Sequence, residues 1–136
     1  MPGKEAPPVH KLRNPANITP PLGKYSHGVE TAANLRWLYI SGQVGVNKDG
    51  KTESGIEAQA RTAFASISAI LADAGMAVAD VVKLNVFITD PRFVTEYRKT
   101  RDEWSGDVRV ASTLLVVAGL AHQDWLIEIE AVAAKA

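Results

Sequence analysis

Leu126-Ile127-Glu128-Ile129-Glu130-Ala131-Val132 is the stretch on which the fold of this chain turns. It reads as the core of a strand, Leu126–Ala134. Residues two apart on a strand share a face, so Glu128 and Glu130 point the same way. An acid in a strand that is otherwise apolar is costly unless it is paired, hydrogen-bonded or used. The strand before it, Ala111–Val117, is joined to it through Ala118-Gly119-Leu120-Ala121-His122-Gln123-Asp124.

Working back from that pair, Asp90 caps a helix, Pro91 takes its first turn and Ser105-Gly106-Asp107 ends it. Its inner stripe is Phe93, Tyr97, Arg101 and Trp104, at a spacing of about four. Upstream, Val81 to Thr89 alternates: Val82, Leu84, Val86 and Ile88 face one way, and Lys83, Asn85, Phe87 and Thr89 the other. A longer helix precedes it. Ser54-Gly55-Ile56-Glu57 reads as a capping box, Ile56, Ala60, Phe64, Ile67 and Leu71 as the buried stripe, and Gly75 as the C-terminal stop. Leu35–Ile40 is aromatic and β-branched enough for a strand. It runs into Ser41-Gly42-Gln43, where glycine suggests a bulge or a close approach to the backbone, then Val44-Gly45-Val46 and an Asp49-Gly50 turn. The first 23 residues are proline-rich and read as an extended lead-in, with 1–13 as a loose tail and Tyr25 anchoring its far end.

The element order is therefore β, β, α, β, α, β, β. This predicts an α+β domain over residues 1–136, with two helices on one face of a mixed sheet. Runs such as Leu114-Leu115-Val116-Val117 are apolar on both faces, so a second subunit is expected to cover the other side.

Composition narrows the function. The chain has 136 residues, no cysteine, and fifteen basic against fifteen acidic side chains. That balance argues against phosphate-neutralising nucleic-acid binding and against a membrane-surface role. Disulfides and thiolate chemistry are excluded. No apolar run is long enough for a membrane span, and Met1–Pro8 lacks the centre of a signal peptide, so a cytoplasmic location is expected. No phosphate-cradling glycine loop and no serine elbow occurs. His10, His27 and His122 are scattered through loops, without metal-ligand spacing. What remains is Glu128, between two isoleucines near the middle of its strand and a candidate for acting on a water. Glu130 is read equally well as a solvated edge residue.

Several stretches together resemble the RidA/YjgF family of enamine/imine deaminases. They are Pro20-Pro21-Leu22-Gly23-Lys24-Tyr25-Ser26-His27, Ile40-Ser41-Gly42-Gln43, Gln59, Ala74-Gly75, Asp80-Val81-Val82-Lys83, Val86-Phe87-Ile88-Thr89-Asp90 and Ile127-Glu128-Ile129-Glu130-Ala131. The resemblance implies a chorismate-mutase-like fold and a barrel-like homotrimer whose clefts lie between subunits. It implies a cofactor-independent reaction on small molecules: hydrolysis of a reactive enamine or imine to a keto compound and ammonia. It also implies that Glu128 holds and activates the attacking water. Tyr25, Ser41, Gly42 and Phe87 would line the cleft, with a backbone N–H of Gly42 offered to the ligand.

One motif departs. The family's deaminases carry Pro-Ala-Arg-Ser/Thr on the penultimate strand, where the arginine clamps the substrate carboxylate. Here the stretch is Val110-Ala111-Ser112-Thr113, with Ser112 in the arginine's place and Leu114 where many members have cysteine. Arg109 lies about 10 Å back along an extended strand and on its opposite face. Ser112 and Leu114 therefore join the expected substrate-binding residues, with altered substrate choice. The alternative is a trimer that binds a small metabolite without chemistry. A nuclease reading of the family finds no basic groove in this sequence.

Overall fold

Val82, Leu84, Val86 and Ile88 are buried while Lys83, Asn85 and Phe87 are partly exposed, so the alternation read from this strand sorts its two faces as expected. The structure is a computed structural model and describes residues 9–136. Its elements are β1 (Lys11–Arg13), β2 (Gly28–Glu30), β3 (Arg36–Val44), α1 (Ile56–Asp73), β4 (Val81–Ile88), α2 (Val94–Ser105), β5 (Ala111–Val116) and β6 (Ile127–Lys135). The main sheet is mixed, in the order β3-β6-β4-β5. β6 runs antiparallel to both β3 and β4, while β5 is parallel to β4 and forms one edge.

Both helices cover one face. Ile127, Ile129, Ala131 and Ala133 of β6 meet Ala60, Ala63, Phe64, Ile67 and Leu71 of α1 in one apolar cluster. Phe64 stacks between Tyr97 and Trp104 of α2, at centroid distances of 6.2 and 4.6 Å, which locks the helices together. Trp104 closes that contact by donating from Nε1 to Ser68 Oγ at 2.8 Å. The last turn of α1 lacks a basic residue of its own. Arg36 and Lys135, at adjoining ends of β3 and β6, reach over to its terminal carbonyls at Ala74 and Gly75, where a helix favours cations.

Three local expectations change. The capping box at Ser54 does not form: Gly55 takes the cap position at φ 85°, a conformation glycine adopts without strain, and no side chain caps the helix. The strand expected over Leu35–Ile40 runs on to Val44, and the bulge suggested by glycine does form, between Ile40 and Gln43; Val46 lies past the strand's end and bridges Thr52. The expected loose tail lies outside the described residues over 1–8, but Lys11–Arg13 pairs with Gly28–Glu30 in a separate two-stranded sheet. Arg13 and Glu30 close it with an ion pair at 2.6 Å. Gly75 does end α1, at φ 70°, with Met76 N–H bonded back to Leu71 as in a Schellman motif. Asp90 accepts from the Arg92 N–H at 2.8 Å and starts the turn leading into α2. Among the described residues, no helix is long and apolar enough to cross a membrane.

Candidate functional site

The sheet face turned away from the helices carries the residues on which the sequence reading rested most. β6 places Glu128 beside Phe87 of β4 and Val44 of β3. The β3 bulge sets Ser41 and Gly42 opposite Glu130 alone. A Cβ on Gly42 would overlap the Glu128 carboxylate, so glycine is what lets that carboxylate lie against the β3 backbone. Ser41 is exposed next to it.

The two glutamates part company here. Glu130 accepts a hydrogen bond from Asn85 Nδ2 at 2.9 Å, which satisfies it within the sheet. Glu128, half-buried, has no hydrogen-bond or ion-pair partner among the described residues. A carboxylate held by packing, with its oxygens unassigned, can accept a proton from a water placed beside it. The same face exposes Trp37, Tyr39 and Leu115; Tyr39 is 75% exposed.

Tyr25, Ser112 and Leu114 form a second group, at the β5 edge. The residues between Pro20 and Gly28 fold onto that edge because Ser26 N–H donates to Val110 O at 2.9 Å and Ser26 bridges Ala111. Asn14 holds the same turn through Ser26 Oγ and the His27 N–H. Tyr25 is thereby brought to a cavity of about 170 Å³, lined by Gly23, Tyr25, Arg98, Arg101, Ser112 and Leu114. Ser112 pairs with Leu84 and Leu114 with Val86, so both side chains lie on the helix side of the sheet, opposite to Glu128 and Phe87. One chain therefore does not bring all the expected site residues together. It presents them as two groups, one on each face of the sheet.

The edge cavity contains groups that sequence reading assigned elsewhere. Arg101 was placed on the apolar stripe of α2, and its side chain is 6% exposed. A charged residue at a core position was the available signal, because arginine is seldom buried without a partner. Its guanidinium binds Asp102 Oδ1 through Nε and a terminal nitrogen, both at 3.1 Å. The Tyr97 hydroxyl is buried nearby without a hydrogen bond. Burial pushes that phenol up to about 12, while Arg101 and Ser112, close by but outside hydrogen-bond geometry, pull it the other way. Arg109 is not available to the cavity as a clamp: its guanidinium ties down its own turn, at Gly106 O and Val108 O.

Behind the open face, Gln59 is buried and almost fully satisfied. Its Nε2 donates to Glu53 O and Asp124 O, and its Oε1 accepts from Leu126 N–H. Through Leu126 it holds the residue that precedes β6. The histidines remain apart. His10 lies against Asp80 O, His27 against Thr19 O, and His122 accepts from the Asp124 N–H. A separate concavity of about 640 Å³ adjoins β1 and shares no lining residue with the edge cavity.

Known proteins resemble the chain in sequence and in fold. Residues 16–135 match the family model described as Endoribonuclease L-PSP. A RutC family protein of Aquifex aeolicus is 34% identical over 118 residues, covering 85% of this chain and 91% of that protein. The 2-iminobutanoate/2-iminopropanoate deaminase of Escherichia coli K12 is 32% identical over 123 residues, covering 88% and 93%. Among solved structures, a Yersinia pestis protein of the conserved Rid family superposes with a TM-score of 0.84 at 30% identity, covering 93% of this chain and 99% of that one. Escherichia coli TdcF with bound serine superposes at 0.70 with 26% identity and the same coverage. With the mixed sheet, the two helices on one face and the Ile127–Ala131 signature in place, the chain belongs to the RidA/YjgF family, the one whose model is described as Endoribonuclease L-PSP.

Proposed function

We propose that this protein is a cofactor-independent hydrolase of small enamines or imines, acting in a cleft completed between two copies of the chain in a homotrimer. The observation that carries the reading is Glu128: half-buried, packed against Gly42 beside Phe87, and unpaired among the described residues while neighbouring Glu130 is satisfied. The deaminase name of the Escherichia coli relative supports the reaction class. The aromatic and apolar side chains left open on the Glu128 face support a second copy as its cover. Closed point-group assembly is the ordinary way in which a self-complementary chain fills such a face.

The chemistry is the addition of water to a C=N bond. Water attacks the imine carbon, and Glu128 accepts the proton that leaves the water oxygen. The resulting carbinolamine receives a proton on nitrogen, its C–N bond breaks, and ammonia departs as the carbonyl forms. An enamine first takes a proton at carbon to become the imine. Gly42 leaves backbone at the bulge within reach of a ligand, and Phe87 flanks Glu128 from β4.

A second reading, a trimer that binds a metabolite without turnover, is favoured by one observation: Ser112 stands where deaminases of the family carry the clamping arginine. The two readings separate in one assay. An L-amino-acid oxidase generates 2-imino acids in situ and semicarbazide traps them. A deaminase lowers semicarbazone formation and raises 2-keto acid and ammonia. A protein that only binds leaves semicarbazone formation unchanged across linear, branched and aromatic amino acids, which would overturn the hydrolase reading.

A further inference from the structure

The cavity at the β5 edge carries cationic groups that take no part in the proton transfer at Glu128. Its lining holds Arg98 and Arg101 and, among the described residues, no acid. The two arginines are three apart on α2, so they project from one side of the helix. Arg101 is buried with a single acidic partner, Asp102, which takes two of its five N–H donors. Its remaining donors have no partner among the described residues, and Arg98 has no ion pair among them. Two guanidinium groups against one carboxylate leave the pocket with one net positive charge. Such a pocket is matched by one singly charged anionic group.

The neighbours fit an anion too. Gly23 lies against the guanidinium: a Cβ there would stand 3.5 Å from a terminal nitrogen of Arg101, so a larger side chain would crowd the pocket. Ser112 is on the wall and offers a hydroxyl. The buried Tyr97 hydroxyl beside it has no partner. Tyr25 and Leu114 close the remaining sides with apolar surface. About 170 Å³ suits the head group of a small metabolite rather than a large ligand.

We propose that Arg101, with Arg98 at the rim, is the substrate-carboxylate clamp of this protein: a guanidinium supplied from helix α2 over the position where Ser112 replaces the strand arginine. The substrate class is therefore carboxylate-bearing imines and enamines, not neutral ones. This rests on the deaminase reading for its substrate but not for its test. The smaller residue at 112 opens the space that an arginine side chain from β5 would fill, and Arg101 reaches it from the other side. A guanidinium fork presents paired donors to the two carboxylate oxygens, which a serine hydroxyl does not.

The test is equilibrium binding of 2-oxobutanoate, the keto acid formed from 2-iminobutanoate by hydrolysis, by calorimetry on the full-length protein, with 2-oxobutanamide as the uncharged isostere and inorganic phosphate as a competing anion. Wild type is expected to prefer the acid to the amide by about tenfold or more, the margin of a charge-assisted pair. Arg101→Gln is expected to abolish that preference, and Arg98→Gln to reduce it severalfold. Ser112→Leu, which leaves the Arg101–Asp102 pair intact and fills the cavity, is expected to lose acid binding while keeping wild-type melting. It keeps the proposal testable if Arg101→Gln does not fold. Equal binding of acid and amide by wild type, unchanged acid binding in folded Arg101→Gln or in Ser112→Leu, or a preference for phosphate over 2-oxobutanoate overturns the clamp. Acid binding through Arg101 without imine turnover would instead overturn the hydrolase reading and leave the clamp standing. Imine turnover that is insensitive to Arg101→Gln would do the reverse.

Discussion

Gly42 and Gly45, three residues apart along β3 and its exit, allow a sharp comparison. A Cβ at Gly42 would overlap Oε2, Cδ and Cγ of Glu128, the mobile end of a side chain. A Cβ at Gly45 would overlap Cα, Cβ and Cγ of Gln59, which is fixed in α1 by the helix backbone and by three side-chain hydrogen bonds. In Gly42→Ala the glutamate can swing away, so the expected stability cost is below about 1 kcal/mol. In Gly45→Ala neither partner can give, and overpacking of this kind costs about 1–3 kcal/mol. For a domain of this size each kcal/mol lowers Tm by roughly 4 °C. The activity effects run the other way. Displacing the proton acceptor by an ångström costs on the order of 100-fold in rate, whereas Gly45→Ala leaves the carboxylate near its place. Thermal unfolding and the semicarbazide-competition assay on both variants give the two numbers. The reasoning fails if Gly42→Ala destabilises as much as Gly45→Ala, or if it retains full activity.

Gln59→Leu keeps the volume but strands three backbone groups that the amide satisfies, at Glu53, Asp124 and Leu126; at about 1 kcal/mol each, chemical denaturation should show a loss of about 3 kcal/mol. The Tyr97 phenol is higher in the fold, at about 12, than its ordinary value, so folding favours the neutral form. Its stabilising effect is complete below pH 10 and is lost as pH rises toward 12. Tyr97→Phe removes no hydrogen bond among the described residues, and it should match wild type near neutrality while showing a weaker loss of stability above pH 10 in pH-dependent melts. If the Glu128 group and the Ser112 group meet between copies, oligomers refolded from equal amounts of Glu128→Gln and Ser112→Leu should regain about a quarter of wild-type activity, because each cleft would draw its two groups independently from two chains. No recovery would place the site within one chain.

Much of this fold could be read from periodicity because its elements are strongly patterned. The alternation of Val82, Leu84, Val86 and Ile88 and the helical stripe from Ile56 to Leu71 each point to one buried face. β1 and β2 were missed because strands of three residues, Lys-Leu-Arg and Gly-Val-Glu, are too short to show a period; they exist through pairing and the Arg13–Glu30 contact. The cap at Gly55 was misplaced because Ser54 and Glu57 have capping-box spacing, while a positive φ at Gly55 decides the start of α1. At the site, Glu128 stood out from Glu130 as an acid between two isoleucines near the middle of its strand, but the Asn85 hydrogen bond that gives Glu130 a partner has no signature in the sequence. Arg101 was hidden for the opposite reason: it occupies a place in an aromatic helical stripe, and its relation to Ser112 depends on how α2 crosses β5.

The central claim is that Glu128 accepts the proton from the attacking water. Steady-state imine hydrolysis by Glu128→Gln, an isostere that keeps the packing over Gly42 but accepts no proton at neutral pH, measures it directly. The account predicts a fall in kcat of about 100-fold or more, with 2-oxobutanoate binding retained. Turnover equal to wild type on every substrate that wild type hydrolyses would contradict it.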